Sequence, residues 1–261
     1  MRQIQTKGGL YMRRLPNIEL SDQELSKIIS DGKFDYGGEA IVCRNNNPQS
    51  LYKIFTHPET DVVAMMSDNK LKKISWIYQH QLEDTVLPLA TLSNRRTLIG
   101  YEMTFDPEDE ALINAILTEG EKIHFLHSSA DILRYYETRD VTYGDVKDDN
   151  ILINKKTGKA KFCDIDNMRV ESLPIDIMGY GLSYYFDVVP VIDQKADAYM
   201  HNLLFLEQLK YNNLSHRAIL NRLRAKPIMP EFPEEVERII STLIEPEKFN
   251  GEYAIQYIKR R

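Results

Sequence analysis

The sequence predicts an α+β fold made of one domain with two lobes, a small strand-rich lobe over residues 1–103 and a helical lobe over 104–261. Three observations predict it. The first hundred residues carry short apolar runs broken by glycine and turn residues, as in Leu51-Tyr-Lys-Ile-Phe55. After Asp106-Pro107, apolar residues recur at helical spacing instead. A short link, from about Met103 to Pro107, joins the two textures. With 261 residues, 43% of them hydrophobic, the chain is long enough for two lobes with separate cores.

Taken in order, Ser21-Asp-Gln-Glu24 before Leu25, Ile28 and Ile29 reads as a capping box opening a short helix, which Asp31-Gly32 ends. Phe34 to Cys43 reads as a glycine-interrupted hairpin, and Asn45-Asn-Asn-Pro48 as a turn. Leu51 to Phe55 is a strand with Leu51, Lys53 and Phe55 on one face. Asp61 to Leu82 is helical in character. Leu87 to Leu92 and Thr97 to Met103 form a second hairpin around Ser93-Asn-Arg-Arg96. Beyond the link, helices are expected over Ala111–Leu117, Glu121–Tyr136, Lys195–Leu209 and Glu234–Ile244.

Bulk properties exclude several function classes. The net charge is -6 and no basic stripe dominates, which argues against a nucleic-acid partner. No apolar stretch approaches the length of a membrane span. Met1 to Arg14 is mixed and basic with no apolar core, unlike a signal peptide. The expected location is the cytoplasm, with secretion as an effector by a leaderless route as the alternative. Cys43 and Cys163 each lie in an apolar run and are expected as buried, reduced thiols.

The stretch with most chemistry is Val141-Thr-Tyr-Gly-Asp-Val-Lys-Asp-Asp-Asn-Ile-Leu-Ile153, followed by Lys161-Phe-Cys-Asp-Ile-Asp166. It gathers Asp145, Lys147 and Asn150 in one loop, with Asp164 beyond a hairpin whose turn is Asn154-Lys-Lys-Thr-Gly158. A carboxylate, a cation and hard oxygen ligands suit a hydroxyl nucleophile, a moving phosphoryl group and Mg²⁺. The pattern resembles the catalytic and metal-binding loops of the protein kinase superfamily.

That resemblance implies a bilobal, protein kinase-like fold binding ATP and Mg²⁺. It implies Asp145 as proton acceptor, Lys147 as the cation on the transferring phosphate, and Asn150 and Asp164 as metal ligands. Asp164-Ile165-Asp166 stands where the family has Asp-Phe-Gly, and Tyr143 stands for the usual histidine. Asp166 either takes the left-handed backbone of the missing glycine or is a further metal carboxylate. Tyr36-Gly-Gly-Glu-Ala-Ile-Val42 resembles the phosphate-covering loop, with Gly37 and Gly38 letting backbone amides approach phosphate. Lys53 resembles the α/β-phosphate lysine. Backbone groups of Glu102 to Thr104, Met103 among them, would meet the purine edge, with Val42 and Leu152 on its two faces. Asp197 resembles the buried aspartate that holds the catalytic-loop backbone, or it caps its helix.

The chain departs from the family in its wiring. No glutamate lies between Thr60 and Leu82 to pair with Lys53. Either Asp68 replaces it or the lysine is oriented otherwise. Gly144 occupies the place of the arginine that usually couples loop phosphorylation to activity, so no such switch is expected. The expected activity is phosphorylation of Ser or Thr in a protein substrate. The alternatives are a small-molecule kinase of the aminoglycoside or choline phosphotransferase type, which share Gly-Asp in this loop, and a nucleotide-binding pseudokinase.

Overall fold

The computed structural model describes residues 4–5, 11–12, 14–36, 40–56, 61–175, 184–185, 187, 189, 193–211, 214–226 and 231–260, with backbone alone at 4–5, 11–12, 36 and 61–68. The chain is mixed α and β and divides into two compact units, Met1–Pro107 and Glu108–Arg261. Among the described residues no helix is long and apolar enough to cross a membrane.

In the first unit, β1 (Ile4–Gln5) and β2 (Tyr11–Met12) form a two-stranded ribbon. A six-stranded sheet follows from β3 (Asn17–Glu19), β4 (Lys33–Tyr36), β5 (Ala40–Arg44), β6 (Ser50–Phe55), β7 (Pro88–Asn94) and β8 (Thr97–Thr104). Its order is β3-β7-β8-β6-β5-β4. All pairs are antiparallel except β3 with β7. The β7–β8 hairpin turns at Arg95 and Arg96, both left-handed at φ 49° and 68°. Gly100 is required by close approach, since a Cβ there would stand 2.0 Å from the Lys53 carbonyl oxygen. The helix α1 (Asp22–Gly32) opens with the expected capping box, in which Ser21 and Glu24 exchange hydrogen bonds. Its Leu25, Ile28 and Ile29 pack on a core of Leu20, Cys43, Ile54, Leu92 and Ile99. The second helix, α2 (Asp61–His80), buries Ile74 and Ile77.

The second unit begins with β9 (Glu110–Ala111), which pairs with β11 (Ile151–Asn154), itself paired with β12 (Lys159–Phe162). The expected helix over Ala111–Leu117 does not form. β9 and a single 3₁₀ turn, Leu112–Asn114, stand in its place. Leu112 is buried, but Ile113 and Ile116 are 50% and 92% exposed, so the apolar spacing there faces no core. The helix α3 (Glu119–Glu137) starts at a second capping box, Thr118 with Glu121. β10 (Val141–Thr142) pairs with β13 (Arg169–Val170). The helix α4 (Gln194–Leu206) is buried from Ala196 to Leu206 and runs into a π-helical turn, Glu207–Tyr211. The remaining helices are α5 (His216–Ala225), which the sequence reading missed, and α6 (Glu234–Ser241).

Candidate functional site in the second unit

The loop between β10 and β11 is held from below by one carboxylate. Asp197 lies in the first turn of α4, whose N-cap is Asp193 rather than Asp197 itself. The backbone N–H groups of Tyr143 and Gly144 donate to the two Asp197 carboxylate oxygens, each at 2.7 Å. Burial raises the Asp197 pKa to about 7, against the two amide donors that favour its charge. Gly144 is left-handed at φ +82°, and a Cβ there would stand 2.3 Å from Ile175 Cδ1. Gly144 thus admits both the turn and the neighbouring side chain.

Asp145 follows directly. The Asn150 side-chain amide donates to its carboxylate at 2.8 Å and to its carbonyl oxygen at 3.0 Å. Lys147 Nζ lies 3.3 Å from the Asp145 carboxylate and 3.5 Å from that of Asp149. Burial raises the Asp145 pKa, with Lys147 and Asn150 opposing and the Asp164 charge adding to it. Burial disfavours the Lys147 ammonium, yet Asp145 and Asp149 outweigh it and hold its pKa above the ordinary value.

Asp164 is brought beside this loop by the β11–β12 hairpin. The Cys163 N–H donates to the Asn150 carbonyl at 3.1 Å, and the Cys163 thiol lies 3.4 Å from the same oxygen. The Tyr143 hydroxyl donates to the Cys163 carbonyl, and its ring packs 4.5 Å from that of Phe162. Cys163 is half-buried beyond the end of β12, not buried within a strand as expected; Cys43 is buried, and neither is bridged in a disulfide. Asp164 itself is the left-handed residue, at φ 57° and ψ 44°. This corrects one expectation for Asp166, which lies in the 3₁₀ turn Ile165–Asn167 without a positive φ and is 1% exposed.

The donor set fits a hard cation. Because the Asn150 NH₂ is committed to two oxygens of Asp145, its Oδ1 is the atom left to accept or ligate. That oxygen and the Asp164 carboxylate are hard ligands of the kind Mg²⁺ takes together with phosphate oxygens. Among the described residues no group of three or more His, Cys, Asp and Glu forms a metal site. A cation here would thus need a ligand's oxygens to complete its shell.

Sequence reasoning missed a buried polar cluster under the same loop. Asp148 accepts a hydrogen bond from the Gln208 amide at 3.3 Å, and Glu207 lies 3.5 Å from His216 Nε2. Burial, with Glu207 and Asp149 nearby, raises the Asp148 pKa to about 6. Only the position of Asp148 inside the motif hinted at it, since its partners come from 60 residues away.

In the first unit, Lys53 sits on β6 in register with Val42 on β5 and Tyr101 on β8. It is 8% exposed, and its ammonium lies 5.8 Å from the centre of the Tyr101 ring. The helix α2 presents Lys70, over the ring of Phe55 at 4.8 Å, and the buried Lys73. Gly37, Gly38 and the Asp68 side chain lie outside the described residues. Glu102, Met103 and Thr104 are the residues expected at the purine edge. All three lie inside β8, flanked on both sides by β6 and β7, and Thr104 N–H donates to the Leu87 carbonyl. The Glu102 side chain accepts from Asn45 and Ser50. In the second unit, Leu152 is half-buried on β11 between Ala111 and Lys161.

No known family model matches this chain, and none of the curated proteins does either.

Proposed function

We propose that this chain is an ATP- and Mg²⁺-dependent phosphotransferase of the protein kinase-like type, acting on Ser or Thr hydroxyls of a protein. One observation carries the reading. Asp145, Lys147 and Asn150 are gathered on a loop that Asp197 holds by two backbone bonds, and the Asp164 charge lies close enough to act on Asp145. Asp145 accepts a hydrogen bond from the attacking hydroxyl and takes its proton as the new P–O bond forms and the bond from the γ-phosphorus to the bridging oxygen breaks, releasing ADP. Its raised pKa suits a base, while the Asn150 amide fixes the rotamer of its carboxylate. Lys147 sets a positive charge beside the transferring group. Asn150 Oδ1 and the Asp164 carboxylate would hold Mg²⁺, which when bound neutralises phosphate charge. Lys53 is the anchor for the α/β-phosphates.

A protein acceptor is favoured over a small molecule because, between α4 and α6, the described residues form only the π-helical turn Glu207–Tyr211 and the ten-residue α5. A large helical insert around an acceptor pocket has no counterpart among the described residues there. The first test is thermal shift with ATP, with and without Mg²⁺, where a Mg²⁺-dependent rise is expected and its absence removes the reading. Labelled γ-phosphate turnover by wild type against Asp145→Ala then tests the base. A loss of about 10²–10⁴-fold is expected, and equal turnover removes Asp145 from that role.

A further inference from the structure

The first unit carries a cavity of about 490 Å³ that the proposed reaction does not use. That volume lies within the roughly 300–1,000 Å³ of small-molecule sites. One wall is α1, and the other is the end of β5 with the turn into β6. Four charged side chains line it, two of each sign: Lys27 and Arg44, Glu24 and Asp31. Among the described residues no ion pair joins any of them. Local structure holds three of them instead. Glu24 is fixed by the Ser21 N–H at 2.8 Å and hydroxyl at 2.6 Å, and Asp31 by the Ser30 hydroxyl at 2.7 Å. The Arg44 guanidinium lies 5.1 Å over the Phe34 ring.

The remaining lining is apolar below and amide-rich at the side. Leu20 belongs to the core, and Ile28 and the Tyr52 ring pack against it. The turn is stiffened where the Asn45 amide donates to Ser50 and Glu102, each at 2.9 Å. An anion alone would face Glu24 and Asp31 uncompensated, and a cation alone would face Lys27 and Arg44.

We propose that this cavity binds a small zwitterion with an apolar body, of the α-amino-acid type. Its carboxylate meets Arg44, whose planar fork takes carboxylates bidentately, with Lys27 adding charge. Its ammonium meets Asp31 at the carbonyl end of α1, where side chain and helix dipole both favour a cation. Its side chain covers Leu20, Ile28 and Tyr52. The inference is independent of the phosphotransferase reading.

Isothermal titration of the full chain with L-phenylalanine and with L-leucine tests it. N-acetyl-L-phenylalanine, which lacks the ammonium, and L-phenylalaninamide, which lacks the carboxylate, are the comparison ligands. Saturable binding of at least one amino acid is expected, at least tenfold weaker for each one-signed derivative. Arg44→Glu and Asp31→Asn, both exposed positions, should weaken it at least tenfold with unchanged melting curves, while Lys159→Glu on the second unit leaves it intact. No saturable heat at millimolar concentration, equal binding of the derivatives, or full binding by Arg44→Glu each overturns the proposal.

Discussion

Asp197 accepts the backbone N–H of Gly144 at 2.7 Å, across 53 positions of sequence. Its second oxygen takes the Tyr143 N–H at the same distance. An asparagine can accept only one of these bonds, and its NH₂ would oppose the other donor. Leaving one buried donor unmet costs about 1–3 kcal/mol. Asp197→Asn is therefore expected to lower unfolding free energy by that amount in urea melts and to slow phosphoryl transfer at least tenfold. Wild-type values in both assays would show that the loop does not depend on this carboxylate.

Gly144→Ala meets two separate obstacles. The left-handed backbone at φ +82° costs an alanine roughly 1–2 kcal/mol. The new Cβ also stands 2.3 Å from Ile175 Cδ1, which must move. The double variant Gly144→Ala/Ile175→Ala removes the contact and keeps the backbone cost. Stability measured over this double-mutant cycle should show a favourable coupling of about 1 kcal/mol or more. Strict additivity would mean that Ile175 does not press on the loop.

These two positions also show what local sequence records. The Ser21–Glu24 capping box and the β7–β8 hairpin were legible because their partners are three or a few residues apart. Asp145, Lys147 and Asn150 were legible for the same reason, as a stretch of six residues holds all three. The Asp197 contact was legible only through resemblance. The helix expected over Ala111–Leu117 failed because Ile113 and Ile116 supply helical spacing yet face solvent. α5 escaped notice because Ile219, Leu220 and Leu223 are embedded among Arg217, Arg222 and Arg224. The register that sets Glu102 opposite Tyr52 and Met103 opposite Leu51 was not legible, because strand pairing is fixed by residues about fifty positions away.

Tyr143→Phe separates positioning from packing. The phenyl ring keeps the contact with Phe162, but the hydroxyl donor to the Cys163 carbonyl is lost. That carbonyl immediately precedes Asp164. One hydrogen bond is worth about 1 kcal/mol, or severalfold in an equilibrium. The expected result is a several-fold higher Mg²⁺ concentration for half-maximal activity, with the melting temperature lowered by only a few degrees. An unchanged Mg²⁺ dependence would show that the hydroxyl does not place Asp164.

The acid limit of the fold is set in part by His201. Its Nε2 lies 3.1 Å from the Leu126 carbonyl, which can only accept, so Nε2 carries the proton. Burial lowers its pKa to about 3. Arg134 and His127 also lower it, while the Leu126 bond and Asp131 act the other way. An unfolded histidine titrates near 6.5, so below that pH the unfolded chain binds a proton the native chain refuses. Stability is therefore full above pH 6.5 and falls as pH drops towards 3, by up to about 1.4 kcal/mol per unit. His201→Gln retains a donor for Leu126 and cannot titrate. It should be less stable than wild type at pH 7 through imperfect packing. Between pH 6.5 and 4.5, however, it should lose roughly 2–3 kcal/mol less than wild type does. Urea melts of both proteins at the two pH values measure this difference directly, and parallel losses would remove His201 from the acid response. His127, also shifted downward by burial, contributes with the same sign in both proteins and so cancels from the comparison.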